Sequence, residues 1–419
     1  MSLKKLKELN EYKKEYYEKK YKEEKDHKKE LYSKECVAYC INFVVSEVSN
    51  EVADLNIHDK LSCYLATILA RDKEVVAVWL RILKDSNEIY LSKNFNWFSE
   101  DEKYIDDITK YLKDISKNAP IKSIDTEKAF FMASRWNKLD NDMNNDDNEY
   151  VKSLRDYIST QLGDKGNYIN LSRVCYEYYK QVKVNSNISP KFLGHIKKVG
   201  SYFESIKSIL DYAKKIQYKS LFSNIKVIKG KPVIIDNQPI YSWENIIKRF
   251  IGEEKVEDKY ECFMTRCLKK PEPEVMRRIC KVYTNNATKQ LQLNDDNVEK
   301  CIYLHAEMNI LASLIINKKI TSRVFIAVSK KCCYLCELYI NFARKQGYNI
   351  IISGKHQKLY DRWILPYVKN SDFKDKSLIY ILENLDRIIE KKIERYTRDL
   401  PADSDSGKNS PDPYDDGGK

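Results

Sequence analysis

The chain has few glycines and prolines and no long apolar run. Only 11 of its 419 residues are glycine and 10 are proline, and because both residue types interrupt helices, this favours a mainly helical protein. No segment reaches the ~18 consecutive apolar residues of a membrane-spanning helix, and the first residues lack the apolar core of a secretory signal. We therefore expect an intracellular protein, cytoplasmic or nuclear, that does not contact a membrane.

Histidines are also scarce, with five against eleven cysteines. In a reducing interior, two cysteines separated by two residues indicate a metal or redox site more often than a disulfide. Cys333 and Cys336 have this spacing. His305 and Glu307 lie 28 and 26 residues before Cys333. One histidine, two cysteines and one glutamate are the residue types of a catalytic zinc site, with the first three as ligands and the glutamate as the carboxylate.

A catalytic zinc takes three protein ligands and keeps its fourth tetrahedral position for water, which then loses a proton near pH ~7. We predict that His305, Cys333 and Cys336 bind zinc and that the zinc-bound hydroxide is the nucleophile. Glu307 is not a ligand in this interpretation. It is predicted to move the water proton to a ring nitrogen and to the departing ammonia. The pattern therefore predicts hydrolytic deamination.

The local sequence predicts elements that suit these roles. A helix is predicted over residues 307–316, a buried strand over 323–328, a second helix over 337–346 that ends at Gly347, and another buried strand over 348–353. The two cysteines are expected in the first turn of the second helix, where the helix dipole favours thiolate.

The segments His305-Ala306-Glu307 and Cys333-Tyr334-Leu335-Cys336 resemble the cytidine deaminase superfamily, whose pattern is H-[AVC]-E followed by P-C-x-x-C. Within it, the chain is most similar to a fungal-expanded deaminase-like family with a long helical N-terminal region. The resemblance covers about residues 300 to 366 and implies an α/β fold, with a three-layer α/β/α core and a large, mostly helical N-terminal or inserted region. Cys332 stands where the pattern has proline, and its thiol offers a competing ligand for the metal.

Superfamily members have a β-hairpin ahead of this motif, often followed by an asparagine that binds the substrate sugar. Residues 74–94 read as such a hairpin, and Asn94 matches the asparagine. A mostly helical insertion of about two hundred residues would then interrupt the sheet, which loop-closure entropy tolerates. The alternative hairpin lies over residues 225–235, nearer the motif, but we favour the upstream one.

These features divide the chain into five parts. We predict a charged helical arm over residues 1–34, helices and a hairpin over 35–99, a mostly helical insertion over 100–299, a zinc-dependent deaminase core over 300–399 and a disordered tail over 400–419.

The net charge of +12 favours a polyanionic partner such as single-stranded nucleic acid. AT-rich coding DNA explains the abundance of lysine equally well. Tyr360 and Trp363 follow the last predicted strand and are candidates for a wall against the reacting base, although such aromatics more often pack between layers. His356, if it were a fourth ligand, would make the zinc structural. Members of the superfamily are often oligomeric, so the resemblance also allows an oligomer, but the sequence does not fix the oligomeric state.

Two functions remain open at this stage. The first is a zinc-dependent hydrolase that deaminates a cytosine or adenine base in nucleic acid or in a nucleoside or nucleotide. The second is a catalytically inactive protein that keeps the deaminase fold and a structural zinc and binds nucleic acid or protein. Glu307 favours the first, because a closed structural zinc needs no such carboxylate.

Overall fold

The computed structural model describes residues 3–45, 54–70, 74–84, 86–116, 168–184, 188–252, 254–269, 273–285, 288–296 and 298–397. The strands are β1 (Val76–Ile82), β2 (Asn87–Lys93), β3 (Ile225–Lys229), β4 (Ile234–Ile240), β5 (Val298–Tyr303), β6 (Val324–Val328) and β7 (Ile350–Ile352). The helices are α1 (Leu3–Ile41), α2 (Ile57–Leu69), α3 (Ser99–Ser116), α4 (Tyr168–Val182), α5 (Pro190–Lys214), α6 (Ile216–Ser223), α7 (Trp243–Ile251), α8 (Val256–Lys269), α9 (Pro273–Tyr283), α10 (Ala306–Ile310), α11 (Tyr334–Lys345) and α12 (Ser371–Thr397). Helix α10 continues as a π-helical segment, Leu311–Ile316.

A five-stranded mixed sheet in the order β3-β2-β1-β6-β7 forms the centre of the fold. Strand β1 pairs antiparallel with β2 on one side and with β6 on the other, where Ala77 lies opposite Val328. Strand β7 is parallel to β6, and β3 is parallel to β2. The carboxyl ends of β6 and β7 therefore lie at the same edge of the sheet as the beginning of β1 and the end of β2.

The two faces of this sheet pack against two different hydrophobic clusters. Along β1, Val76 and Val78 contact the cluster that contains helices α2 to α5, whereas Ala77 and Trp79 contact the cluster that contains α1, α10 and α11. Successive side chains of a strand point to opposite faces, so an unbroken apolar strand is buried on both. The fold is thus a mixed α/β core with helices on both faces and a further helical region, as the sequence predicts.

The upstream hairpin forms as predicted, and β1 places it in the sheet that contains β6. The alternative hairpin over residues 225–235 is wrong, because its two halves belong to different sheets. Strand β3 adds to the edge of the five-stranded sheet, and β4 pairs with β5 in a separate two-stranded sheet. Strand β4 therefore lies beside the residues that lead to His305, since β5 ends at Tyr303.

Helix α1 does not end where the charged part of its sequence ends. It runs on to Ile41, and its last turns, including Leu31 and Glu35, are buried against the core. None of the described helices is both long and apolar enough to cross a membrane. The five-part division of the chain stays a prediction, and the tail over residues 400–419 lies outside the described residues.

Candidate metal centre and its surroundings

Three buried side chains meet where two helices begin. His305 follows β5 and precedes the first residue of α10, Cys333 precedes the first residue of α11, and Cys336 lies in the first turn of α11. The Nδ1 atom of His305 is 3.5 Å from Cys333 Sγ and 3.3 Å from Cys336 Sγ, and the two sulfurs are 3.4 Å apart. The structure therefore brings together the three predicted ligands, which lie 28 and 31 residues apart in sequence.

This triangle has the size and chemistry of a metal site. Tetrahedral zinc with Zn–S bonds of ~2.3 Å and Zn–N bonds of ~2.0 Å separates a nitrogen ligand from a sulfur ligand by about 3.5 Å and two sulfur ligands by about 3.8 Å. The observed separations of 3.3 to 3.5 Å are within about 0.4 Å of these values, and one imidazole with two thiols is a donor set that zinc favours. Among the described residues, this group of three can hold a metal ion, and neither Cys332 nor His356 is part of it.

The thiol groups differ in their tendency to ionise. Burial opposes ionisation of Cys333, but a hydrogen bond from the Cys336 thiol and the charge of His305 hold the pKa of Cys333 well below its usual value. Burial and the neighbouring Cys333 raise the pKa of Cys336 well above its usual value. A bound cation would favour the loss of the proton from both thiols.

Glu307 lies in the first turn of α10 and is almost fully buried. Burial raises the pKa of its carboxyl above the usual value, although the nearby His305 acts in the opposite direction. Its Oε2 atom has no hydrogen-bond partner among the described residues. A buried carboxylate oxygen without a partner is costly, so such an atom is suited to a ligand or substrate proton.

The loop that carries the cysteines is fixed by backbone hydrogen bonds. The amide N–H of Cys332 donates to Gly354 O at 2.9 Å, and the N–H of His356 donates to Cys332 O at 3.1 Å. Proline, the usual residue at position 332 in the pattern, has no N–H and could not make the first bond. In this chain the bond ties the loop to the segment after β7.

The upstream hairpin contributes directly to the site. Asn94, just after β2, accepts a hydrogen bond at its Oδ1 atom from the backbone N–H of Ala306 at 2.9 Å. At the same edge, the N–H of Ser329 donates to Val76 O at 2.8 Å, and Ser329 Oγ accepts from Val76 N at 3.0 Å. The hairpin thus holds both the start of α10 and the loop after β6. The contact of Asn94 with a substrate sugar stays a prediction.

The segment between β3 and β4 also contacts α10 and the residue before His305. The side-chain amide of Asn309 donates to Lys231 O at 2.8 Å, and the N–H of Leu304 donates to Val233 O at 2.9 Å. Residues from about eighty positions upstream are therefore bonded on both sides of His305. Sequence reasoning did not identify this contact, because backbone carbonyl groups leave no residue pattern.

The predicted aromatic wall residues lie in different environments. Tyr360 is 36% exposed, and its ring centroid is 6.4 Å from that of His305 and 5.6 Å from that of His356. Trp363 is fully buried and packs against Tyr339, so its side chain presents no surface to a substrate. Its environment is that of an aromatic residue that joins two layers.

Two further residues near the site were missed by the sequence analysis. The ring of Tyr303 stacks on His305 with centroids 5.5 Å apart, and its position two residues before the histidine was a usable signal. Glu35 of α1 accepts the backbone N–H of Trp363 at 2.8 Å. Glu35 is 328 residues away in sequence, so no local pattern could have indicated it.

Comparison with known proteins agrees with this geometry. Residues 304–367 match the model of the family described as "OTT_1508_deam:-like deaminase". No curated protein matches the chain, and no solved structure does. The matched residues include His305, Glu307, Cys333 and Cys336. The chain therefore contains, over residues 304–367, a segment similar to a deaminase family, and within it a buried His–Cys–Cys group that can hold a metal ion.

Proposed function

We propose that this protein is a zinc-dependent hydrolytic deaminase that acts on a cytosine or adenine base. The observation that carries the proposal is the buried triangle of His305, Cys333 and Cys336 beside a buried carboxylate oxygen of Glu307 that has no hydrogen-bond partner among the described residues. Three ligands and a carboxylate are the requirements of this reaction, in which water replaces an exocyclic amino group and ammonia leaves.

We assign metal binding to His305, Cys333 and Cys336 and proton transfer to Glu307. A zinc ion bound to the three ligands would lower the pKa of water so that a nucleophile forms at neutral pH. Glu307 would accept a proton from water and deliver it to the ring nitrogen of the base as the hydroxyl adds. It would then take the proton of the newly added hydroxyl group and pass it to the amine, which leaves as ammonia. Its buried position excludes competing solvent, and because α10 begins at Ala306, the helix fixes the carboxylate relative to His305.

The proposal requires that a protein side chain does not fill the fourth position of the metal. None of the other described His, Cys, Asp or Glu side chains joins the group of three. His356, the nearest candidate in the sequence analysis, instead accepts the backbone N–H of Lys358 at its Nδ1 atom, at 3.1 Å. These observations support an open catalytic site over a closed structural one.

The proposal is tested by ammonia release from nucleosides, nucleotides, single-stranded DNA and single-stranded RNA, together with zinc content. The wild type should contain about one zinc per chain, as a three-ligand site implies, and Glu307→Gln should keep that zinc. Turnover of the variant should fall by about 10²- to 10⁴-fold, the usual contribution of a positioned acid–base group.

Glu299→Gln is the matched control, because Glu299 is exposed on β5 only eight residues away. It should keep both zinc and turnover. If Glu307→Gln turned over its substrate at the wild-type rate, or if the wild type bound no zinc, the proposal would be wrong. Zinc without turnover of any base would favour the inactive binding protein.

A further inference from the structure

Two exposed phenylalanines lie on a loop that is held firmly in place. Phe95 is 46% exposed and Phe98 is 60% exposed. Between them, the indole N–H of Trp97 donates to Gly230 O at 2.8 Å, and the N–H of Phe98 donates to Asp101 Oδ2 at 2.9 Å. Since these bonds fix the backbone, the exposed rings are a stable feature of the surface. Large exposed apolar groups of this kind mark interaction sites.

The same loop borders a cavity whose wall includes Asn94, which bonds to the residue after His305. The cavity has a volume of about 270 Å³, and its wall includes Asn94, Phe95, Asn96, Phe98 and Ile234. Asn94 joins this wall to the catalytic helix through its bond to Ala306. Aromatic faces for stacking and amide groups for base edges are the chemistry by which proteins bind unpaired nucleobases.

A series of neighbouring aromatic rings leads from this cavity through His305 to Phe43. Phe95 lies 4.4 Å from Tyr303, Tyr303 5.5 Å from His305, His305 6.4 Å from Tyr360, and Tyr360 6.2 Å from Phe43, measured between ring centroids. We call these five rings the aromatic row. Its middle member is a predicted metal ligand, and exposed rings lie on both sides of that ligand.

The Phe43 end of the aromatic row is positively charged. Lys358 Nζ lies 5.0 Å and the guanidinium carbon of Arg278 5.3 Å from the ring centroid of Phe43. Residues 330–362, which supply the loops after β6 and β7, contain seven Lys or Arg and two Asp or Glu. Cations beside stacked rings complement a phosphate backbone that carries unpaired bases.

From these observations we infer that the aromatic row is a binding surface for single-stranded nucleic acid, with the reacting base at the metal centre and neighbouring bases on Phe95 and Tyr360. The inference rests on the proposed function and narrows its substrate to a polynucleotide. A free nucleoside has neither flanking bases to cover the outer rings nor a chain of phosphates to use the cations.

The experiment measures binding without turnover. Glu307→Gln protein is titrated against fluorescently labelled single-stranded DNA and RNA that contain cytosine and adenine, and against a duplex of the same sequence, by anisotropy at several salt concentrations. Single strands should bind more tightly than the duplex, and their affinity should fall as salt rises.

In that background, adding Phe95→Ala or Tyr360→Ala should weaken single-strand binding by about 5- to 150-fold each, the effect of removing one stacking ring. Tyr367→Ala is the matched control. Tyr367 is an exposed aromatic residue, with 72% of its surface accessible. It lies away from the aromatic row, because Lys369, two residues later, donates its N–H to Asn317 Oδ1, which follows the π-helical segment after α10. This control should bind like the parent.

Each outcome decides something. If no single strand binds, or if the two ring variants bind like the Tyr367→Ala control, the inference is overturned and the exposed rings serve another partner, such as a protein. If wild-type protein releases ammonia from free nucleosides but not from the oligonucleotides, the deaminase proposal stands and this inference is wrong. If the oligonucleotides bind through the aromatic row but no ammonia is released, the binding surface stands and the proposed function is wrong.

Discussion

The matched segment, residues 304–367, and the upstream segments that contact it build the candidate site in different ways. The matched segment contributes the three candidate metal ligands and Glu307, the residues to which we assign the chemistry, from a short stretch of chain. The upstream segments contribute support, through Asn94, 212 residues before its partner, and Glu35, 328 residues before its partner. The comparison teaches that the chemistry is local in sequence, whereas the framework that positions it is assembled from distant residues.

The largest effect is expected from the loss of a candidate metal ligand within the matched segment. Cys336→Ser should reduce bound zinc by more than about tenfold and remove detectable ammonia release, because a hydroxyl is a poor replacement for a thiolate ligand. Elemental analysis of purified protein measures the zinc. Cys262→Ser is the control, since Cys262 lies on α8 outside the group of three, and it should keep the metal. A full zinc content in Cys336→Ser would contradict the ligand assignment.

A smaller effect is expected from the most distant support residue. Glu35→Ala removes the acceptor of the Trp363 backbone N–H and leaves both a buried unsatisfied donor and a small void. Below the unfolded pKa of about 4.5, where Glu35 contributes fully to stability, the free energy of unfolding should fall by about 3 kcal/mol. Denaturant unfolding measures this change, with Glu23→Ala as the control.

Glu23 lies on the same helix but is exposed, so its replacement should change the free energy of unfolding by less than about 0.5 kcal/mol. Equal stabilities for Glu35→Ala and Glu23→Ala would mean that α1 does not support the site through Glu35.

The pH dependence of the free energy of unfolding tests the same contact between Glu35 and the backbone N–H of Trp363. Burial raises the pKa of Glu35 well above its usual value, and the nearby Asp361 adds to this shift, while the bond from Trp363 opposes it. The folded state therefore keeps the proton at pH values where the unfolded chain has lost it. Glu35 accordingly contributes full stability below the unfolded pKa, and this contribution is lost as the pH rises toward the folded pKa.

Glu35→Gln keeps the acceptor oxygen and cannot ionise. Compared with the wild type, its free energy of unfolding should therefore decline less between pH 4.5 and neutrality. Urea unfolding at a series of pH values makes the comparison. Parallel pH profiles for the two proteins would show that Glu35 does not titrate differently in the folded and unfolded states.

The sequence predicted the parts of this fold that periodicity and spacing encode. The strand that became β6, the helix that became α11 with its end at Gly347, and the hairpin that became β1 and β2 follow from alternation, helical spacing and turn residues. Gly347 adopts a φ of +91°, a conformation that glycine reaches without the strain a side chain would add.

What the sequence could not indicate depends on tertiary contacts. Two apolar runs with a turn between them predict a hairpin, so the local pattern does not indicate that β3 and β4 belong to different sheets. In the same way, the burial of Trp363 and the exposure of Phe95 are decided by which neighbours the fold brings to each ring, not by the ring itself. Tertiary context overrides local signals of this kind.

The smallest expected effect concerns Asn94, where the two regions touch. Its Oδ1 atom takes the place of a helix cap for the Ala306 N–H, one of the amides that has no partner within the helix. Asn94→Ala should therefore lower the free energy of unfolding by about 1 kcal/mol, whereas Asn94→Asp keeps an acceptor at a helix N-terminus and should restore most of it. Zinc content should be unchanged in both, because neither variant touches a ligand. If Asn94→Ala lost zinc, the hairpin would be part of the metal site itself, and the division between local chemistry and distant support would not hold.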